Sequence, residues 1–110
     1  MNAPQALPVE APNTAPWVAE TLRVQGDGVE LAAYRWGNRA GPTLLLVHGY
    51  PDNHEVWLPL VYALANDYQL VAYDVRGAGA SDKPGKRLDY HLTKLANDME
   101  AVILATSPNQ

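Results

Sequence analysis

Apolar positions follow two different periods along this chain, and the switch between them predicts its elements. Val18-Ala19-Glu20-Thr21-Leu22-Arg23-Val24 alternates well enough for a strand, and Val29 to Trp36 reads as a second. Gln25-Gly26-Asp27-Gly28 between them is a turn, so the two strands form an antiparallel hairpin. After a second turn region, Gly37 to Pro42, comes Thr43-Leu44-Leu45-Leu46-Val47, apolar without alternation. Such a run predicts a strand covered on both faces. Residues 48–53 break it. Trp57, Leu60, Val61 and Leu64 then recur at helical spacing, and Pro59 fits only a first turn, which places a helix from near Leu58 to near Asn66. Gln69 to Asp74 is the next strand, and residues 75–90 form a loop. Leu92, Leu95, Ala96, Met99, Val102 and Ile103 mark the apolar stripe of a last helix, which Pro108 ends.

The order is a hairpin followed by a β-α-β-α unit, with a right-handed crossover between the third and fourth strands. The class is α/β with a mostly parallel sheet. Residues 1–16 carry Pro at 4, 8, 12 and 16, which predicts an extended, solvated tail ahead of a folded portion from 17 to 110. The tail has no P-x-x-P pair and no basic or apolar region of a secretory signal.

Composition narrows the function classes. The 110 residues are 47% hydrophobic and 18% charged, ordinary for a globular domain. The net charge of −4 argues against a partner made of phosphate backbone. Without cysteine there is no thiolate nucleophile and no Cys-based zinc site, and no cofactor or metal is expected. The longest apolar run outside the tail, Val56 to Ala65, is far shorter than the ~18 residues of a membrane span. A cytoplasmic protein without membrane or nucleic-acid partners is the expectation.

Two loops follow the carboxyl ends of predicted parallel strands, where ligands of open α/β sheets bind. One is His48-Gly49-Tyr50-Pro51; the other runs from Asp74 to Pro84. Gly77-Ala78-Gly79 could open a dinucleotide fingerprint, but position 82 is Asp and Pro84 stands where a helix should begin, so that reading fails. The second loop reads instead as structural: Asp74 and Arg76 brace it, by pairing or by bonding to backbone, and Gly77 and Gly79 let it pass tightly beside Ser81.

Taken together, "LLLVHGYPDN" and "LVAYDVRGAGASDKP" resemble the α/β-hydrolase fold family. The form is similar to its epoxide-hydrolase and dehalogenase branch, and the resemblance runs from about Glu20 to the end. It implies that residues 48–51 are the oxyanion loop. Hydrolysis of an ester-like intermediate builds negative charge on an oxygen, which preorganised N–H groups stabilise. Carried over, one donor is the backbone N–H of Tyr50. Gly49 lets the backbone turn, Pro51 removes a competing donor and follows a cis bond, and His48 orients the loop. A plain strand-to-helix turn is the alternative for these residues.

The same resemblance marks what the sequence lacks. The nucleophile of this family sits in G-x-S-x-G, or with Asp in place of Ser. Neither Ser81 nor Ser107 has glycines two residues to either side, and no Asp is so framed. His48, His54 and His91 all precede the position of the family's catalytic base; His54 and His91 are expected at the surface near helix starts. The chain therefore reads as the N-terminal part of a hydrolase domain, incomplete and inactive alone. In a longer protein it would serve a small-molecule substrate with an ester, epoxide or carbon–halogen bond, through a covalent intermediate. Such segments also precede a short-chain oxidoreductase domain in some relatives. The competing reading is a truncated or non-catalytic fragment that at most binds a partner through a bare third strand. That strand, residues 43–47, would be an apolar edge prone to aggregation.

Overall fold

The computed structural model describes residues 17–106, so the expected tail and Ser107 and Pro108 lie outside the described residues. Four strands and two helices follow in the order β1 (Glu20–Gln25), β2 (Glu30–Gly37), β3 (Thr43–Val47), α1 (Leu58–Leu64), β4 (Gln69–Tyr73) and α2 (Leu92–Thr106). Two 3₁₀ turns are added, His54–Trp57 and Arg87–Tyr90, in stretches read from the sequence as loop or helix approach. The first is capped by the Asn53 side chain, which accepts the Glu55 N–H at 2.8 Å. Capping of this kind holds a short turn that hydrophobic spacing does not announce.

The sheet order is β1-β2-β4-β3. β1 and β2 form the hairpin, β2 runs antiparallel to β4, and β3 lies parallel to β4, with Leu45 opposite Val71. The sheet is therefore mixed: two of its three pairings are antiparallel, because the hairpin docks on β4 through β2. The β3-α1-β4 crossover supplies the parallel pair.

β4 is the covered strand, with all five residues buried, and its alternation divides the core. Leu70 and Ala72 face α1 with Trp36, Leu46, Val61 and Ala65. Val71 and Tyr73 face the other way, with Val24, Leu31, Ala33 and Val102 of α2. The result is three layers, helix, sheet and helix, and each fully buried Leu or Val contributes ~1.5–3 kcal/mol of transfer free energy.

The unbroken run of β3 predicts cover on both faces, whereas the bare-third-strand reading predicts an edge. Only Leu46 is buried, and Val47 is 41% exposed, because β3 is an edge of the sheet. The two edges differ in kind. β1 carries Glu20 and Arg23, held in ion pairs with Arg35 and Glu30 at 2.9 and 3.0 Å. Charges like these discourage a further strand. β3 carries none. The stripe of α2 is also turned: Val102 is buried, but Leu92 is 75% exposed and Ile103 41%. Asp98, a carboxylate within that stripe, is drawn to the buried side instead by Arg76.

An unguarded apolar edge associates with itself. The purified 110-residue chain is expected to elute from a sizing column above its monomer mass or to precipitate. Val47→Lys should raise the soluble monomer fraction, as read by light scattering; an unchanged distribution would place the association elsewhere.

Candidate active site

β3 and β4 run parallel, so the loops after both strands emerge at the same rim of the sheet. The structure ties those loops together at two points. His48 is buried, and its Nε2 accepts the Val75 N–H at 3.0 Å. A backbone N–H can only donate, so the ring proton sits on Nδ1 and is donated to the Gly49 carbonyl at 2.8 Å. Six residues later His54 gives its backbone N–H and its Nδ1–H to the same oxygen, Asp74 Oδ1, both at 2.8 Å. Between the two ties the chain turns tightly: the Asp52 N–H donates to Gly49 O at 2.9 Å, and the Tyr50–Pro51 peptide is cis. The N–H of Tyr50 meets no acceptor among the described residues, and the Tyr50 side chain is 90% exposed.

Asp74 and Arg76 do not pair with each other. Asp74 is 1% exposed, and its carboxylate takes four donors: the two from His54, the Tyr34 hydroxyl at 3.0 Å and the Ala80 N–H at 3.0 Å. Burial alone would raise its pKa; the hydrogen bonds from Ala80 and His54, with the nearby imidazole, outweigh that and hold it below the usual carboxylate value. The same carboxylate, with burial as the larger cause, pushes the Tyr34 hydroxyl up to about 12. Gly79 makes this packing possible. It has a φ of 49°, and a Cβ there would overlap the Asp74 carboxylate. Gly77, at a φ of 87°, leaves room in the same way for the Tyr90 ring. Ser81 is buried, accepts the Ala32 N–H at 2.9 Å and donates to the Asp74 carbonyl, which fastens the loop to β2.

Arg76 reaches to the other side. Its guanidinium meets Asp98 of α2 at 2.7 and 2.9 Å, and donates to the Asp27 and Asp89 carbonyls at 2.8 and 2.6 Å. Both partners of this ion pair are about 1% exposed.

Three residues of this site escaped sequence reasoning. Asp98 had a signal: it interrupts the apolar spacing Leu95, Val102 on one helix face. Tyr34 had a weaker one, since it shares a strand face with Trp36, against which it packs at 6.2 Å. His54 was expected at the surface. It is instead half-buried, with its ring stacked on Tyr34 at 3.5 Å between centroids, because Asp74 draws the imidazole inward. His91 is exposed at the start of α2.

Beside the rim lies a cavity of about 360 Å³ between the ends of β3 and β4 and α2. Val47, His48, Tyr50, Tyr73, Val75, Leu92, Leu95 and Met99 line it, and apart from Asp98 its walls are largely apolar. Among the described residues no group of three His, Asp or Glu side chains could hold a metal ion, and no helix is long and apolar enough to cross a membrane.

Comparison with known proteins points one way. A sequence profile of the alpha/beta hydrolase fold family matches residues 42–110. The chain is 44% identical over 84 residues to a protein of Mycobacterium tuberculosis named probable oxidoreductase EphD; the match covers 76% of this chain and 14% of that protein. It is 39% identical over 67 residues to a fluoroacetate dehalogenase of Burkholderia, covering 58% of this chain and 22% of that one. The structure of an epoxide hydrolase from Vigna radiata superposes with a TM-score of 0.73 at 30% identity, over 79% of this chain and 28% of that chain. The chain thus spans a small part of the length of these relatives.

Two outcomes check the electrostatics. Because the folded pKa of Asp74 is depressed, its contribution to stability is complete above the unfolded carboxylate value of ~3.9 and is lost as pH falls through the folded value. Asp74→Asn should lower the urea midpoint at pH 7 and flatten its decline below about pH 4. Arg76→Met leaves Asp98 buried and unpaired, and should cost about 3–5 kcal/mol in denaturant unfolding. Adding Asp98→Leu should recover part of that loss; a purely additive double variant would deny the pair its role.

Proposed function

We propose, from the premise that this chain belongs to the alpha/beta hydrolase fold family, that residues 48–51 form half of an oxyanion hole for a hydrolase acting through a covalent intermediate. The observation that carries the reading is the Tyr50 amide: it lies at the rim shared by two tied loops and has no acceptor among the described residues. A free donor held in place is what stabilising a developing oxyanion requires, since it pays no reorganisation when the charge appears. His48 and Pro51 shape the loop, and Gly49 supplies the carbonyl that closes its turn onto Asp52.

The nucleophile belongs to other residues than these, since no Ser or Asp of the sequence is framed as G-x-S/D-x-G. The reacting bond is an ester, epoxide or carbon–halogen bond of a small molecule. The names of the relatives support the last two: one is an epoxide hydrolase and another a fluoroacetate dehalogenase. The name oxidoreductase, given to a relative of which the matched segment is 14%, supports a second domain in the longer protein. The 110 residues by themselves have no turnover. A second reading rests on the bare β3 edge: a non-catalytic piece that binds a partner by adding a strand.

The coding sequence past position 110 should contain G-x-S-x-G or its Asp form within about 20 codons. The longer protein should hydrolyse styrene oxide or p-nitrophenyl acetate, and the 110-residue chain should not. Replacing the Tyr50 amide by a backbone ester in the longer protein removes this single N–H. A fall in kcat of about 10²–10³ with little change in KM is expected. A kcat unchanged by the ester would refute the oxyanion reading; a longer protein without turnover on either substrate would favour the strand-binding one.

A further inference from the structure

We infer that His54 is the positioning residue that aims the Tyr50 amide, and that it acts through Asp74. This rests on the reading of residues 48–51 as an oxyanion loop and names the device that controls it.

Residues 49–53 hang between two ties, and both ties end on consecutive residues at the end of β4. His48 holds the Val75 N–H, and His54 holds Asp74. The two ties differ in what they fix. His48 leaves β3 directly, so its position follows from the strand. The far end of the loop has no strand behind it; it runs into the 3₁₀ turn at 54–57, and the His54 contacts tie the start of that turn to Asp74.

Those contacts are unusually stiff. His54 places two donors on one oxygen, its N–H and its Nδ1–H, so backbone and ring are fixed by the same atom. The carboxylate that receives them cannot follow a moving loop, because Tyr34 and Ala80 occupy its other oxygen and Gly79 packs directly against it. The imidazole cannot swing away either: it lies on the Tyr34 ring, 16° from parallel. A histidine that merely filled space would need the stacking but not the second hydrogen bond. The double contact transmits the position of buried Asp74 to the loop that carries Tyr50. Donors in an oxyanion hole act over a narrow distance, so a shift of about 1 Å is enough to cost much of their effect.

The test uses the longer protein with styrene oxide and p-nitrophenyl acetate, and four forms of it. His54→Phe keeps the ring on Tyr34 and removes the side-chain donor. His54→Asn carries an N–H near the place of Nδ1 without the ring. The expected result is a fall in kcat of roughly tenfold for His54→Phe, with KM within about twofold, and recovery of most of kcat in His54→Asn. The Tyr50 backbone ester, alone and combined with His54→Phe, gives the decisive comparison. If His54 acts through the Tyr50 amide, the His54→Phe change should cost little further kcat once that amide is gone. An equal loss in both backgrounds, or full activity of His54→Phe, would overturn the inference while leaving the oxyanion reading intact. An ester without effect would overturn the reading and the inference with it. Should His54→Phe fail to fold, His54→Gln replaces it with the same expectation, since its amide reaches toward the place of Nε2 rather than Nδ1.

Discussion

The buried carboxylate of Asp74 is the contact on which the architecture of the rim depends. It stands at the end of the covered strand, and four donors from three separate segments converge on it. A carboxylate taken out of water without partners is costly, so its burial demands that those segments arrive together. The loop after β3, the strand β2 and the glycine-rich loop are thereby placed relative to one another by a single ionised group. Arg76, two residues later, repeats the device on the opposite face of the sheet with Asp98 as its counter-charge. Two buried residues just past one strand end, Asp74 and Arg76, thus organise the two sides of the sheet.

The hydrophobic frame explains why that arrangement stays rigid. β4 is buried on both faces, and its ends cannot shift without disturbing both halves of the core. Close packing of this kind transmits small displacements rather than absorbing them. Toward β1 the sheet is finished by charges; toward β3 it is not, and the exposed residues of α2 extend that apolar surface beside the cavity. The polar organisation of the rim and the unguarded edge therefore meet at Val47 and His48, the last residue of one and the first of the other.

Much of the frame was readable in the order of residues, because it depends on spacing. Apolar runs at 44–47 and 70–73 became the parallel pair, and the glycine-bearing turn at 25–28 became the hairpin. The composition of β3 suits a central strand and an edge strand equally; the edge was expected from the family resemblance, not from the run itself, and the sheet order places it there. The antiparallel majority was not readable, since it depends on how the hairpin docks. Of the site, the two loops stood out through their glycines and prolines. The partners inside them did not: no periodicity joins Asp74 to His54, 20 residues away, or Arg76 to Asp98, 22 away. Polar pairing across such distances is decided by three-dimensional closure, and a lone histidine near a helix start carries no mark of it. Asp98 left the clearest trace, as a charge within an apolar stripe, and Tyr34 a weaker one beside Trp36.

Arg76 spends two of its hydrogen bonds on main-chain carbonyls, those of Asp27 and Asp89. Every residue offers the same carbonyl, so these two contacts place almost no demand on which amino acids occupy positions 27 and 89. They demand instead that the number of residues between anchor points be conserved, because one inserted or deleted residue in either turn would rotate the oxygen away from the guanidinium. As far as these two contacts go, divergent versions of this protein should vary at positions 27 and 89 while keeping the lengths of both turns constant; Gly26, which packs against Asp98, and Gly28, at a φ of 78°, are held by other constraints.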